Sequence, residues 1–135
     1  MVRSAHLFGV HGMILPKDRS ASVTPVVAKA SAGAVEHTPI ACITNLVSTL
    51  KELKKGGAWI VGASAEAEQN IYSFKFDLDL VLVIGGEEEG IRPLVRKECD
   101  HLLSIPLLGK ISSLNTSVAC AVILSEVIRQ RRFAK

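Results

Sequence analysis

"SIPLLGKISSLNTSVACAVILSEVI", residues 104–128, decides the fold because three signals follow one another in a single run. An apolar stretch closes at Ile105-Pro106, a turn follows at Gly109, and a largely apolar helix begins at Asn115. A short apolar run ending at a proline reads as a buried strand, and an apolar helix behind it reads as one enclosed on most sides. Between them stand Ser112, Ser113, Asn115, Thr116 and Ser117. One helix start needs one such side chain to receive its orphan N–H groups. The surplus leaves two readings open: a generously capped turn, or a polar edge that also hydrogen-bonds a ligand.

The same alternation recurs upstream. Short apolar runs stand at "GMIL" (12–15), "IACI" (40–43), "AWIVGA" (58–63), "LVLVIG" (80–85) and "HLLSIP" (101–106). Each is too short for a helix and apolar enough for a strand covered on both faces. Between them, "NLVSTLKELKK" (45–55) predicts a helix with Asn45 as N-cap, a lysine-rich last turn and a stop at Gly56-Gly57. "TPVVAKASAGA" (24–34) places Thr24 at a cap and Pro25 at the first helical position, where the missing N–H costs nothing. Further helices are predicted from Ile91 to Glu98 and from Asn115 to Arg131. Strands alternating with helices at this spacing predict an α/β domain over 1–135, a mostly parallel sheet with helices on both faces. "MVRSAHLFG" (1–9) reads as the end of a helix flowing straight into a strand, so a first strand is expected to be missing.

Composition narrows the function classes. The chain has 135 residues, 48% hydrophobic but only 4% aromatic, so its core must be aliphatic. A net charge of +3 is too small to identify a nucleic-acid binder, although Arg129, Arg131, Arg132 and Lys135 gather at the end, as a solvated helix end or a polyanion contact. Cys42, Cys99 and Cys120 fit neither a disulfide framework nor zinc spacing, which points to a reducing, cytoplasmic setting. No apolar run reaches membrane-spanning length and no signal peptide is evident, so a soluble protein without a membrane role is expected.

In open parallel sheets ligands collect beyond the carboxyl ends of the strands, which singles out the loops 62–68, 85–90 and 106–115. "GGEEEG" (85–90) does not spell a dinucleotide fingerprint, and three carboxylates would repel a pyrophosphate. A tight strand-to-helix turn with acids near the helix start is the plain alternative. His6, His11, His37 and His101 offer no i, i+4 pair, and no metal site is expected. No nucleophile elbow occurs, which argues against a hydrolase.

Taken together, "LVLVIGGEEEGIRPLV" (80–95), "IPLLGKISSLNTSVA" (105–119) and the closing "RQR" (129–131) resemble the SpoU class of RNA 2′-O-ribose methyltransferases, within the SPOUT superfamily. The segment "ILPKDRSASVTPVVAKASAGAVEHTPI" (14–40) resembles the members that methylate a guanosine ribose in large-subunit ribosomal RNA. The resemblance implies a deep C-terminal trefoil knot that folds S-adenosylmethionine into its loops, and a homodimer acting on structured RNA. It further implies cofactor contacts from Gly62, Ala63, Gly85, Gly90, Ile105, Leu107, Gly109 and Leu114. Glu87, Ser113 and Asn115 would supply polar groups near the cofactor or the ribose, with Ser117 bracing the knot. Arg3, in "RSA", matches the end of the family's first motif and the arginine that assists deprotonation of the ribose. The Asn of that motif has no counterpart here, nor does the N-terminal RNA-binding domain of many relatives. Glu88 and Glu89 stand where relatives often carry a small and a basic residue. Arg129 and Arg131 are expected near RNA or the partner's pocket, and His37 matches a family position. Two rival readings are a noncatalytic knotted RNA-binding or assembly module and an unknotted, flavodoxin-like nucleotide binder.

Overall fold

The computed structural model describes residues 1–17, 37–86, 89–111 and 113–134. The helix expected over 24–34 lies outside the described residues, as do Glu87, Glu88, Ser112 and Lys135. Helix α1, Val2–Leu7, runs into Gly9, whose φ of 75° reverses the chain toward strand β1, Met13–Pro16. Strand β2, Ile40–Ile43, pairs parallel with β1 in the register Met13↔Ile40 to Pro16↔Ile43. Helix α2, Leu46–Lys55, starts at the predicted cap: Asn45 is extended and its Oδ1 accepts from Ser48 N at 3.0 Å. Lys54 and Lys55 face the negative end of the helix dipole, and Gly57 at φ 101° turns the chain into the next strand.

Strands β3 (Trp59–Ala63), β4 (Leu80–Val83) and β5 (His101–Leu103) form a second parallel sheet in the order β4-β3-β5. Helix α3, Pro93–Glu98, precedes β5 with its proline in the first turn, and helix α4, Thr116–Ile128, follows it. A five-residue π-helical turn, Arg129–Phe133, ends the described chain. The predicted strands therefore all form and all pair in parallel, but among the described residues they do so in two sheets, β1-β2 and β4-β3-β5.

Side chains alternate across a strand, and this divides the core of the three-stranded sheet. Val61 and Leu103 face one way and pack with Ile71, Phe74, Phe76 and the α4 residues Ile123 and Val127. Ile60 faces the other way, against Leu50 of α2 and Val95 of α3. Helices thus cover both faces, which is why β3 reads as a continuous apolar run. Ile60, Val61 and Leu103 are all but inaccessible to solvent, each contributing roughly 1.5–3 kcal/mol of burial.

The amino ends of these strands are pinned by polar bonds. Asp100 Oδ2 accepts from Ile60 N at 2.8 Å while Asp100 N donates to Ile60 O at 2.7 Å. Lys54 Nζ lies 3.5 Å from Asp100 and donates to Glu98 O at 3.2 Å, tying the ends of α2 and α3 to the start of β5. At the close of α4, Gln130 Nε2 donates to Phe74 O at 2.8 Å and its Oε1 accepts from Phe76 N at 2.9 Å. Arg131 donates to Phe76 O and Leu78 O. The carboxyl ends, by contrast, open into the loops where the candidate site lies.

Candidate functional site

Three loops leave the carboxyl ends of β3, β4 and β5 side by side. Ser64 N donates to Leu103 O at 2.9 Å, Ile71 N to Ser104 O at 3.0 Å, and Ser104 N to Gln69 O at 2.9 Å, so the loop after β3 is laced to the exit of β5. Asn70 steadies that loop by accepting from Tyr72 N and Ser73 N at 2.8 and 3.1 Å.

The loop after β4 closes on itself. Gly90 N donates to Gly86 O at 2.9 Å, and Gly90 holds φ at 64°. A Cβ at Gly85 would overlap the carbonyl carbon and oxygen of Gly90 and the nitrogen of Ile91. Glycine at 85 is therefore demanded by backbone lying against backbone, a constraint that a ligand contact does not explain. Gly62 is hemmed in by side chains instead: a Cβ there would stand 2.8 Å from Ile91 Cδ1, 2.9 Å from Cys99 Sγ and 2.9 Å from Leu102 Cδ2. Both glycines were expected beside a cofactor; their immediate neighbours are protein atoms, and Ile91 touches both positions. Glu89 lies 3.7 Å from Arg92 in an exposed pair, so the acidic run carries a basic partner of its own.

The loop after β5 is the open one. Ile105 and Leu114 are half-buried, Leu107 is 38% exposed, Leu108 is fully exposed, and Ile111 is 80% exposed. A Cβ at Gly109 would meet nothing within 4 Å, which leaves free space beside the turn. Asn115 supplies a side-chain cap of α4, its Oδ1 accepting from Ser117 N at 2.9 Å. Ser113 and Ser117 are exposed at this edge. The polar run thus extends from the cap to an exposed edge, which is compatible with both readings of this stretch.

Arg3 stands exposed on α1, which packs against α4. His37 stacks on His6 of the same helix with ring centroids 5.4 Å apart, one turn beyond Arg3. This pairing of His37 with the Arg3 helix was not visible in the histidine spacing. Next to it, the buried Thr38 Oγ1 has no hydrogen-bond partner among the described residues.

Arg129 and Arg131 fall elsewhere. Helix α4 carries them about 20 Å from Asn115, at 1.5 Å per residue, to the amino ends of the strands. Arg129 forms a two-pronged pair with Glu126, 2.8 Å from Nε and 2.7 Å from Nη2. These hydrogen bonds, with a third from Gln130, hold the Glu126 carboxyl at about 2 although the residue is only 5% exposed and burial opposes ionisation. Within their own chain, then, both arginines brace the end of α4 and lie far from the loops that resemblance assigns to the cofactor. Burial raises the thiols of Cys99 and Cys120, so neither is poised as a nucleophile. Among the described residues no group of three or more His, Cys, Asp or Glu could hold a metal, and no helix is long and apolar enough to cross a membrane.

The description "SpoU rRNA Methylase family" belongs to the family model that matches residues 1–125. The chain belongs to the SpoU rRNA methylase family. Its curated relatives include proteins named 23S rRNA (guanosine-2′-O-)-methyltransferase RlmB. The one from Coxiella burnetii is 49% identical over 130 residues, covering 96% of this chain and 52% of the relative. The one from Escherichia coli K12 is 46% identical over 130 residues, with 96% and 54% covered. This SpoU chain thus spans about half the length of the curated relatives it matches. Among solved structures, the SpoU methyltransferase AviRb from Streptomyces viridochromogenes, in complex with AdoMet, superposes with a TM-score of 0.90 at 28% identity, covering 96% of this chain and 53% of that one. The TrmH/SpoU tRNA modifying enzyme of A. aeolicus gives a TM-score of 0.85 at 30% identity, with 96% and 66% covered. The mostly parallel α/β fold is therefore the SpoU fold.

Proposed function

We propose that this SpoU domain transfers a methyl group from S-adenosylmethionine to a ribose 2′-hydroxyl of structured RNA, in particular a guanosine of large-subunit ribosomal RNA. The observation that carries the reading is convergence. The family match spans residues 1–125, and the motif residues Gly85, Gly90, Ile105, Leu107, Gly109, Ser113, Leu114 and Asn115 come from loops at one end of one sheet. The residues fit the cofactor: half-buried Ile105 and Leu114 and partly exposed Leu107 offer apolar surface for an adenine, beside free space at Gly109 and polar groups at Ser113 and Asn115. When bound, S-adenosylmethionine supplies the electrophilic methyl.

The chain's own residues hold the ribose oxygen in line and stabilise its charge as its proton leaves to a neighbouring phosphate oxygen or to water. Arg3 suits the second task, because a guanidinium stays protonated at any relevant pH and lends charge instead of accepting a proton. Glu87, Ser113 and Asn115 orient the ribose or the cofactor, Gly62 and Ala63 shape the wall after β3, and His37 lies on the RNA side of α1. The remaining family features enter as part of the same reading: a trefoil knot through residues of α4, a homodimer, and a cytoplasmic setting. In the homodimer Arg129 and Arg131 reach RNA or the neighbouring subunit's pocket.

Calorimetry with S-adenosylmethionine and a tritiated-methyl transfer assay on ribosomal RNA test this, with Arg3→Ala as control. Micromolar binding with transfer abolished by Arg3→Ala is expected. Binding without any transfer favours the noncatalytic module, and no binding by a folded sample refutes the cofactor assignment.

A further inference from the structure

Trp59, the chain's only tryptophan, opens β3 at the end of the sheet opposite the candidate cofactor loops, and 46% of it is exposed. Its indole stacks on His101, the first residue of β5, with centroids 5.8 Å apart and planes 30° apart. His101 is backed in turn by Phe74 at 4.9 Å, and Phe74 by Phe76 at 5.0 Å. Phe74 and Phe76 are buried and their backbone is gripped by Gln130 and Arg131. The indole is thus held from behind by a packed aromatic file while much of its surface faces solvent.

The surroundings are charged. Lys55 ends α2 just before the turn into Trp59, and Lys97 lies in the last turn of α3; both are exposed. Lys75 follows Phe74, and Arg132 lies in the terminal turn, also exposed. Arg131 gives its hydrogen bonds to carbonyl oxygens and so keeps its full charge. Of the nearby acids, Glu126 is matched by Arg129, while Glu98 and Asp100 share Lys54, which leaves Asp77, Asp79 and one of that pair against this group. A cleft of about 390 Å3 between the 72–77 segment and the 129–134 turn shares Phe74 with the stack and carries Tyr72, 57% exposed, on its wall.

Helix dipoles account for lysines at helix ends. They do not account for a braced, half-open tryptophan among them. A protein-docking patch would be contiguous and apolar. An indole platform among more cations than unmatched acids matches single-stranded nucleic acid, whose bases stack on aromatic rings while lysine and arginine meet the phosphates. We propose that Trp59, backed by His101, is a stacking platform for an unpaired base of the RNA substrate, with Lys75 and Arg132 receiving the adjoining phosphates. This rests on the reading that the chain acts on RNA, and adds a contact at the opposite end of the sheet, about 13 Å along β3 from its carboxyl end.

Because Trp59 is the only tryptophan, its emission reports on this surface alone. End-labelled ribosomal RNA hairpins with unpaired flanks, and blunt duplexes of the same length, are titrated into the full chain while label anisotropy and Trp59 emission are followed together. The flanked hairpin should quench Trp59 and the blunt duplex should not. Trp59→Leu, which keeps apolar bulk against His101, should weaken binding of the flanked hairpin about 5- to 100-fold, the range of one base–aromatic stack. Lys75→Glu with Arg132→Glu should weaken it as well and lower its salt dependence, and this pair decides the matter if Trp59→Leu fails to fold. Binding by anisotropy with unchanged Trp59 emission, or wild-type affinity in these variants, overturns the platform and leaves the RNA reading standing. No binding of any labelled RNA overturns both. An emission shift that tracks protein concentration without RNA would assign the surface to a second copy of the chain and overturn the platform.

Discussion

Replacing Gly85 with alanine separates what the two tight glycines do. The new methyl meets the carbonyl carbon and oxygen of Gly90 and the nitrogen of Ile91, all backbone atoms, so no rotamer change can relieve it. The turn held by the Gly90 N–Gly86 O bond must open. Overpacking of this kind costs about 1–3 kcal/mol. If the closed turn forms one wall of the cofactor site, that cost falls on binding, and the Kd for S-adenosylmethionine rises about 5- to 150-fold. Gly62→Ala meets three side-chain ends instead, Ile91 Cδ1, Cys99 Sγ and Leu102 Cδ2, which can each retreat by a few tenths of an ångström.

For Gly62→Ala the cost of about 1–3 kcal/mol should therefore appear mainly as lost stability. With an unfolding entropy of about 0.28 kcal/mol/K for a domain this size, that is a Tm lower by about 4–11 °C. Its Kd should change by less than about 5-fold, because only Ile91 links it to the turn. Calorimetry and thermal melts on both variants give the four numbers. Wild-type cofactor affinity in a folded Gly85→Ala protein would refute the assignment of this turn to the site, and a larger affinity loss in Gly62→Ala than in Gly85→Ala would refute the division.

Three further outcomes follow from the bracing network and the core. Arg131→Ala removes two donors from Phe76 O and Leu78 O and should lower stability by about 1–3 kcal/mol, read as a shifted denaturation midpoint with unchanged slope. The Glu126 carboxyl, held at about 2 in the fold against a usual value near 4.5, stabilises the fold fully above the usual value and progressively less as pH falls toward 2. Glu126→Gln should consequently be less stable than wild type near neutrality and flatten the loss between about pH 4.5 and 2; an unchanged acid profile in urea melts would count against the pair with Arg129. Ile60→Ala, in the face shared by α2 and α3, should cost about 2–5 kcal/mol in the same melts, and a cost below 1 kcal/mol would contradict the packing.

The strands and both helix caps were legible because their causes are local. Asn45 and Asn115 sit one position ahead of apolar helices and act as caps in the structure. The five short apolar runs became five parallel strands. What escaped depends on contacts distant in sequence. Arg131 could be read as part of a solvated helix end or a polyanion contact, and Gln130 carried no signal of its own; only folding brings them to Phe74, Phe76 and Leu78. The protein neighbours of Gly62 and Gly85 could not be read, because glycine marks close contact without saying with what; they are Ile91, Cys99, Leu102 and Gly90. His37 and His101 showed no motif because their partners, His6 and Trp59, lie on other elements. A faint signal existed for Glu126: an acid in an apolar helix three residues before an arginine is a pair waiting to form.

The two ends of the three-stranded sheet differ in a way that bears on mechanism. At the amino ends, Asp100, Lys54, Gln130 and Arg131 bind helix ends, strand starts and the 74–78 segment into one braced unit. At the carboxyl ends, Leu108 and Ile111 stand almost wholly in water. Each forgoes roughly 1.5–3 kcal/mol of burial, which becomes available only when something covers the loop. Binding elements are drawn from the less stable parts of a fold, since they must change to admit a ligand. A loop that gains apolar contacts on closing over cofactor, RNA or a second subunit can spend that gain on orienting the ribose oxygen, provided the sheet beneath does not yield. The braced end supplies that resistance, so weakening it at Arg131 should loosen the reacting geometry at a distance as well as lower the melting point.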